Sequence, residues 1–298
     1  MTTRKTALIT GATGFIGRRL AVVLADQYAV RGLVRHFARA KEVLPSAVEL
    51  VRGDLTDAAS LKAAVAGADA VVHLAALKGD EPDIVAVNVG GAHNLVAACK
   101  AAGVKRVINV GTQAARLPRR GAYGDTKAQA DAVFAASGLE VTTLLPSVVY
   151  GPEDPGVFGK LVRLTATAPF VPVIGDGTAR YRPVHLDDVC AVIAGCLRDP
   201  KTVGKTYAVG GPQTVTYDGL IEGIGAGLGR NPFKVHLPAP AAMLIARALA
   251  AVMASPPLTV SNVIGAVHSA PDADYDAVFT ELGLKARSFP QGIKDSLA

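Results

Sequence analysis

Short apolar runs alternate with helical spacing through the first half of the chain. Strand-like runs fall at Thr6–Thr10, Val30–Val34, Val48–Val51, Ala70–Leu74, Arg106–Val110 and Val141–Leu145. Between them, Phe15–Asp26, Ala58–Ala66, Pro82–Ala102 and Tyr123–Ser137 carry the apolar spacing of amphipathic helices. The runs are nearly continuous in Val, Ile, Leu and Ala, without in–out alternation. That is the pattern of strands covered on both faces. Strand–helix alternation of this kind predicts an α/β fold, a doubly wound parallel sheet with right-handed crossovers.

After Pro146 the texture changes. Gly151–Pro155 and Pro169–Gly177 are rich in Gly and Pro and read as loops. A strand-like run at Arg180–Val184 leads into a helix at Leu186–Leu197, and another run at Thr206–Val209 ends in Gly210-Gly211-Pro212. From Thr214 onward the tail reads as mostly helical. The division this predicts is a dinucleotide-binding domain over 1–152 and about 180–212, with a smaller, mostly helical substrate lobe over about 153–179 and 213–298. Ligand is expected in the cleft between them, beyond the carboxyl ends of the strands. The very apolar segment Leu237–Ala254 is interrupted by Pro238, Pro240 and Arg247 and does not read as a spanning helix. A core helix is its first reading. A peripheral contact with a membrane or a protein partner is the other, because its polar face is weak.

Composition narrows the function class. Half of the 298 residues are apolar and 19% are charged, an ordinary globular balance. The net charge of +6 is spread along the chain, and the densest basic cluster, Arg116, Arg119 and Arg120, lacks the aromatic interleaving of a nucleic-acid surface. No nucleic-acid partner is expected, whereas an anionic cofactor suits the excess. Cys99, Cys190 and Cys196 have no metal-ligand spacing, and no His, Cys and acidic cluster does either, so no metal is expected. The cysteines read as buried free thiols of a reducing compartment. Met1 to Lys5 is a short polar start with no leader pattern. A cytoplasmic protein is expected, monomeric or homodimeric.

The string Thr10-Gly11-Ala12-Thr13-Gly14-Phe15-Ile16-Gly17 follows the first strand and opens a helix. Glycine there permits dihedrals that a side chain forbids and lets backbone approach a pyrophosphate, while the free amides of the helix start meet its charge. Cofactor contacts are expected from Gly11, Thr13, Gly14, Phe15, Ile16 and Gly17. The second strand ends Leu33-Val34-Arg35-His36, where an NAD site would place an acid for the ribose diol. Arg35 suits a 2′-phosphate instead, with Arg18 and Arg19 adding positive charge, so NADP(H) is favoured over NAD(H).

These residues resemble the short-chain dehydrogenase/reductase superfamily, in its extended and atypical, epimerase/dehydratase-like branches. The opening turn has the family's TGxxGxxG spacing. Gly53-Asp54-Leu55 resembles its adenine-contacting Gly-Asp-Leu, and His73-Leu74-Ala75-Ala76 its His-x-Ala-Ala strand end. Asn88-Val89-Gly90-Gly91 is similar to its Asn-x-x-Gly, Tyr123–Lys127 to its Tyr-x-x-x-Lys, and Pro146-Ser147-Val148 lies in the segment that closes over the nicotinamide. Gly175-Asp176-Gly177 and Val184-His185-Leu186-Asp187-Asp188-Val189 resemble the substrate-lobe signature. Pro256-Pro257-Leu258-Thr259 and Glu281-Leu282-Gly283-Leu284 are similar to the group that includes the NAD(P)-binding accessory subunit of respiratory complex I. The resemblance implies a Rossmann domain, with Asp54, Leu55, Leu74, Ala75, Ala76, Asn88, Lys127, Pro146 and Val148 lining the cofactor.

It also implies chemistry. Tyr123 and Lys127 are four apart on one helical face. A nearby ammonium and a cationic nicotinamide favour the phenolate, so Tyr123 is expected to act as general acid–base during hydride transfer. Thr112 matches the Ser/Thr that holds the reacting oxygen. Thr112 and Tyr123 are only eleven residues apart, shorter than in sugar-nucleotide epimerases and dehydratases, and Gly111 stands where many relatives have Ser. His73 reads as a packed strand-end residue, Asp187 and Asp188 as caps and dipole partners of a helix start. Asn88 reads equally as a support near Lys127 or as a helix-start residue. The expected function is an NADP-dependent oxidoreductase acting on a small-molecule carbonyl, hydroxyl or conjugated double bond. The alternatives are a cofactor-binding structural or assembly subunit with little turnover, and an NAD-dependent sugar-nucleotide epimerase or dehydratase.

Overall fold

The computed structural model describes residues 4–79, 81–253, 256 and 258–297. Met1 of the polar start, Ala254 at the end of the apolar segment, Pro257 of the Pro-Pro motif and Ala298 lie outside the described residues. The first half builds strands β1 (Thr6–Thr10), β2 (Ala29–Val34), β3 (Glu49–Arg52), β4 (Ala70–His73), β5 (Arg106–Val110) and β6 (Glu140–Pro146). Helices α1 (Phe15–Leu24), α2 (Phe37–Val43), α3 (Ala58–Val65), α4 (Gly91–Ala102) and α5 (Gly121–Ala135) alternate with them. The strands pair in parallel in the order β6-β5-β4-β1-β2-β3, so the order reverses between β1 and β4. Alternate residues of each strand feed opposite faces. Ala7, Ile9, Val72 and Ile108 join Leu20 and Leu24 of α1, whereas Leu8, Val71 and Val107 join Leu61 of α3, Leu95 of α4 and Phe134 of α5. This two-sided burial is why the strands read as unbroken apolar runs.

Two local departures have physical causes. Helix α2 buries only Ala40, so it offers no apolar stripe to read in the sequence. The helix expected from Pro82 instead passes through a π-helical turn at Ala86–Gly90 before α4. Such turns interrupt regular helical spacing and gather at functional sites.

The second half adds β7 (Val149–Tyr150), α6 (Val157–Thr167), β8 (Val171–Ile174), β9 (Arg180–Tyr181), β10 (Val184–His185), α7 (Leu186–Arg198) and β11 (Thr206–Val209). Strand β11 pairs with β6 and completes a seven-stranded parallel sheet, a Rossmann-type doubly wound fold. The chain continues through β12 (Val215–Thr216), α8 (Tyr217–Gly227), β13 (Lys234–Leu237), α9 (Ala239–Val252), α10 (Val260–Val267), α11 (Ala277–Glu281) and α12 (Phe289–Leu297). The run read as one strand over Arg180–Val184 is two, because β9 pairs with β12 and β10 with β7. The Pro169–Gly177 stretch is not all loop, and the tail is not all helix: β8 pairs with β13. Tyr150, Phe158, Leu161, Val173, Leu220, Ile224 and Phe289 form the core of the smaller lobe. Helix α11 returns to the large domain, where Phe279 enters the sheet core and Glu281 accepts a hydrogen bond of 2.6 Å from the Tyr207 hydroxyl.

Helix α9 overturns the core-helix reading of the apolar segment. Its alanines Ala242 and Ala246 are fully buried against Val263, while Leu244 is 71% and Val252 80% exposed. Among the described residues no helix is long and apolar enough to cross a membrane.

Candidate active site

The reversal of strand order between β1 and β4 opens a crevice at their carboxyl ends, and the glycine-rich turn sits there. Gly11 has φ +71°, and a Cβ on it would lie 2.8 Å from the Ala75 amide nitrogen. A Cβ on Gly17 would lie 2.2 Å from the Gly11 carbonyl oxygen. These glycines therefore let the turn, the start of α1 and the end of β4 close on one another. Gly14 begins α1 with no side-chain cap and no acid in the first turn, leaving first-turn amides for an anion. Thr10 pins the same junction: its hydroxyl accepts from the Leu74 and Ala75 amides at 3.2 and 3.3 Å and meets His73 Nδ1 at 2.9 Å. His73 is 1% exposed, and burial with the Lys127 charge pushes its pKa down to about 3. It is a packed, neutral strut.

The crevice continues toward the ends of β2 and β3. Thr13, Val34, Arg35, His36 and Arg39 line a small hollow. Beside it lies a hollow of about 600 Å³ bounded by Arg35, His36, Arg52, Gly53, Asp54, Asp57 and Ser60. The Asp54 carboxylate accepts from the Thr56 amide and hydroxyl at 2.9 and 2.7 Å, which holds its pKa below the usual range against some burial. Leu55 is buried and fills the space that Gly91 leaves, where a Cβ would lie 2.7 Å away. Arg39 was not singled out from the sequence; its spacing of four from Arg35 was the available signal. The positive charge expected of Arg18 and Arg19 is largely compensated. Arg19 pairs with Asp187 at 2.5 Å, and Arg18 lies 3.8 Å from Glu153.

At the ends of β4, β5 and β6 the second cluster forms. Thr112 follows β5 and caps a 3₁₀ turn at Gln113–Arg116 by accepting from the Ala114 amide. Gly124 lets this turn abut α5, since a Cβ there would lie 2.7 Å from the Ala114 carbonyl oxygen. The eleven-residue interval is thus folded tightly, which brings the turn that Thr112 caps against the start of α5, the helix that carries Tyr123. Lys127, one turn on, is 2% exposed and donates to the Val110 carbonyl at 3.0 Å. Burial and the negative charge of Asp131 push the Tyr123 pKa up to about 12, with the Thr112 hydroxyl pulling the other way. The chain's own groups on balance raise the Tyr123 pKa.

Beneath this cluster lies a buried pair that sequence reading missed. Asn109 Nδ2 donates to Asp131 Oδ1 at 2.8 Å, and Asp131 is 8% exposed. Burial raises the Asp131 pKa, with Lys127 and Asn109 opposing. A Cβ on Gly111 would lie 2.9 Å from both Asp131 oxygens, so the carboxylate occupies the space a Ser at 111 would need. The i, i+4 spacing of Lys127 and Asp131 on α5 was the visible signal.

Asn88 is not a helix-start cap. Its side chain accepts from the Leu77 amide at 2.8 Å and donates to the Leu77 carbonyl and to Thr126 Oγ1, each at 3.0 Å. It clamps the segment after Ala75 and Ala76 to α5. Pro146 ends β6, and the Val148 carbonyl accepts from Val184 at 2.9 Å, so this segment bridges sheet and lobe. At α7 the cap is His185, whose Nδ1 accepts from the Asp187 amide at 3.2 Å. Asp188 does not cap: it receives the Arg287 backbone amide and guanidinium at 2.8 and 3.0 Å.

Residues 7–210 match the NAD dependent epimerase/dehydratase family. A ceramide reductase from Caulobacter vibrioides is 31% identical over 245 residues, covering 80% of this chain and 75% of that protein. The mitochondrial NADH dehydrogenase (ubiquinone) 1 alpha subcomplex subunit 9 of Arabidopsis thaliana is 31% identical over 262 residues, covering 82% of this chain and 62% of that one. The solved structure of MoeE5 in complex with UDP-glucose and NAD superposes with a TM-score of 0.78 at 24% identity, covering 98% and 97% of the two chains.

Proposed function

Because the chain belongs to the NAD dependent epimerase/dehydratase family, we propose that it transfers hydride between NADP(H) and a small-molecule carbonyl, hydroxyl or conjugated double bond, with Tyr123 as general acid–base. One observation carries this reading: Tyr123 stands one helical turn from the fully buried Lys127 on α5, against the turn that Thr112 caps. Thr112 and Tyr123 present two hydroxyls to a substrate oxygen. Tyr123 gives its proton as negative charge develops on that oxygen. The Lys127 ammonium stabilises the phenolate left behind, and its hydrogen bond to Val110 fixes its position. A phenol at rest suits the reductive direction, and the ceramide reductase relative supports a carbonyl substrate.

The turn fits a dinucleotide, since Gly11 and Gly17 let it close on β4 and α1, and the first-turn amides of α1 have no side-chain cap. When bound, the nicotinamide supplies or accepts the hydride. Gly11, Thr13, Gly14, Phe15, Ile16 and Gly17 would hold the pyrophosphate, Asp54 and Leu55 the adenine end. Leu74, Ala75, Ala76, Asn88, Lys127, Pro146 and Val148 would border the nicotinamide half. Arg35, His36 and Arg39 around one hollow support NADP(H) over NAD(H). The three buried free thiols support a cytoplasmic setting.

The test is a titration with NADPH and NADH followed by turnover on candidate carbonyls. NADPH is expected to bind more tightly, and Arg35→Ala to narrow the gap by about tenfold, roughly 1.4 kcal/mol. Tyr123→Phe is expected to abolish turnover while NADPH still binds. Equal affinities overturn the 2′-phosphate assignment, and retained turnover removes Tyr123 from the mechanism.

A further inference from the structure

Helix α9 inverts the usual relation between size and burial. An amphipathic helix on a globular protein turns its large apolar residues inward. Here the inward stripe is small, with Ala242 and Ala246 fully buried against Val263 of α10. The large residues point outward: Leu244 is 71% exposed, Ile245 43%, Val252 80% and Met253 43%. Leu244, Ala248 and Val252 recur every four residues with Ile245 beside them, so they share one continuous face. At 14 residues the helix is about 21 Å long, too short to span a bilayer and long enough to lie on one.

Charge identifies what this face would meet. No Asp or Glu occurs between Glu222 and Asp272, whereas Arg230, Lys234 and Arg247 fall in that interval. Arg247 is the only charged residue of α9, and it is exposed on the flank of the apolar face. Lys234 is engaged by Asp218 and Glu222, which leaves Arg230 and Arg247 as the cations of this region. Phe233, 70% exposed, precedes β13, and Phe170, 47% exposed, precedes the paired β8, at the end of this strand pair away from α9. An apolar helical face flanked by an exposed arginine, with no acid on α9 and the nearby Asp218 and Glu222 engaged by Lys234, is complementary to an anionic lipid surface.

We propose that α9 docks this protein on the surface of an anionic bilayer, burying Leu244, Ile245 and Val252 at the headgroup boundary with Arg247 against lipid phosphate. The inference rests on α9 and its charge and is independent of the hydride-transfer reading. A docked α9 places the lobe that borders the substrate cleft at the membrane: α10, on which α9 packs, meets α5 at Gly121, two residues before Tyr123.

The experiment is co-sedimentation of the full chain with vesicles of phosphatidylcholine and phosphatidylglycerol, beside vesicles of phosphatidylcholine alone. The full chain is expected to bind the mixed vesicles and to bind the neutral ones at least fivefold more weakly. Leu244→Glu with Val252→Glu is expected to reduce binding more than tenfold, and Arg247→Glu about fivefold. An unchanged urea-melt midpoint in each variant shows that the variants fold. No binding of the folded wild-type chain to mixed vesicles overturns the proposal. So does a concentration-dependent dimer in vesicle-free solution that Leu244→Glu abolishes, since the face would then belong to a second copy of the chain.

Discussion

Helices α5 and α9 are alike on paper and opposite in the fold. Both are rich in alanine, with 15 and 14 residues. Helix α5 buries what normally stays in water: Lys127 at 2% exposure, with Thr126 and Asp131 beside it. Helix α9 leaves in water what is normally buried, Leu244 and Val252 above all. A buried ammonium costs several kcal/mol before its hydrogen bond and partner charge offset it. An unburied Leu or Val forgoes about 1.5–3 kcal/mol. Neither arrangement serves stability, so each marks a place where the chain meets something else. For α5 the proposed counterpart is a reacting oxygen and a cofactor; for α9 it is the proposed anionic lipid surface.

The sharpest way to break the comparison is at Lys127. Replacing it with Met keeps the stem and removes the buried charge. Turnover is expected to fall by about 10²–10⁴, roughly 3–5 kcal/mol of barrier, with folding retained. Steady-state rates beside a urea melt check it. Unchanged turnover would make Lys127 a structural lysine and dissolve the contrast with α9. Next in size is Ala246→Leu. Ala246 is fully buried, so three added heavy atoms have no room, and overpacking is expected to cost about 1–3 kcal/mol in the same melt. A melt that matches the wild type would mean that α9 is not seated on its alanines.

These two helices also show how far the sequence could be read. The sheet was legible because two-sided burial leaves unbroken apolar runs, and the glycine turn because its spacing encodes backbone contacts that no side chain permits. Tyr123, Lys127 and Thr112 were legible as a pattern. The buried Asn109–Asp131 pair was not, because nothing local distinguishes a buried Asp at i+4 from a solvated one. Gly111 was noticed as a departure, and its reason emerges only with the carboxylate packed against it. The large residues of α9 read as core because hydropathy carries no information on which face finds a neighbour. Strands β8 and β13 were missed for a related reason, since they pair only with each other, β8 alternates over only four residues and β13 fully buries none of its own.

Asp131→Asn gives a smaller and more specific test of α5. The carboxylate raises the pKa of both Tyr123 and Lys127. Removing its charge lowers both, so the phenol begins to ionise at lower pH than its present value of about 12. In the reductive direction the rate requires the protonated phenol. The alkaline limb of the pH–rate profile is therefore expected to move downward by up to about one unit, roughly 1.4 kcal/mol. A limb that stays in place while the overall rate drops would assign Asp131 to packing alone.

The smallest effect is expected on α9, and its smallness is the point. Leu244→Ala removes atoms that are already in water, and alanine has the better helix propensity. Stability should change by less than about 0.5 kcal/mol, the range of ordinary surface substitutions. A Leu covered in the native protein would instead cost about 2–5 kcal/mol when truncated. The same urea melt distinguishes the two, run at several protein concentrations. If Leu244→Ala destabilises by the larger amount, and more so at high concentration, a second copy of the chain covers the face. Helices α5 and α9 would then both be buried, and the difference between them would lie in what buries each.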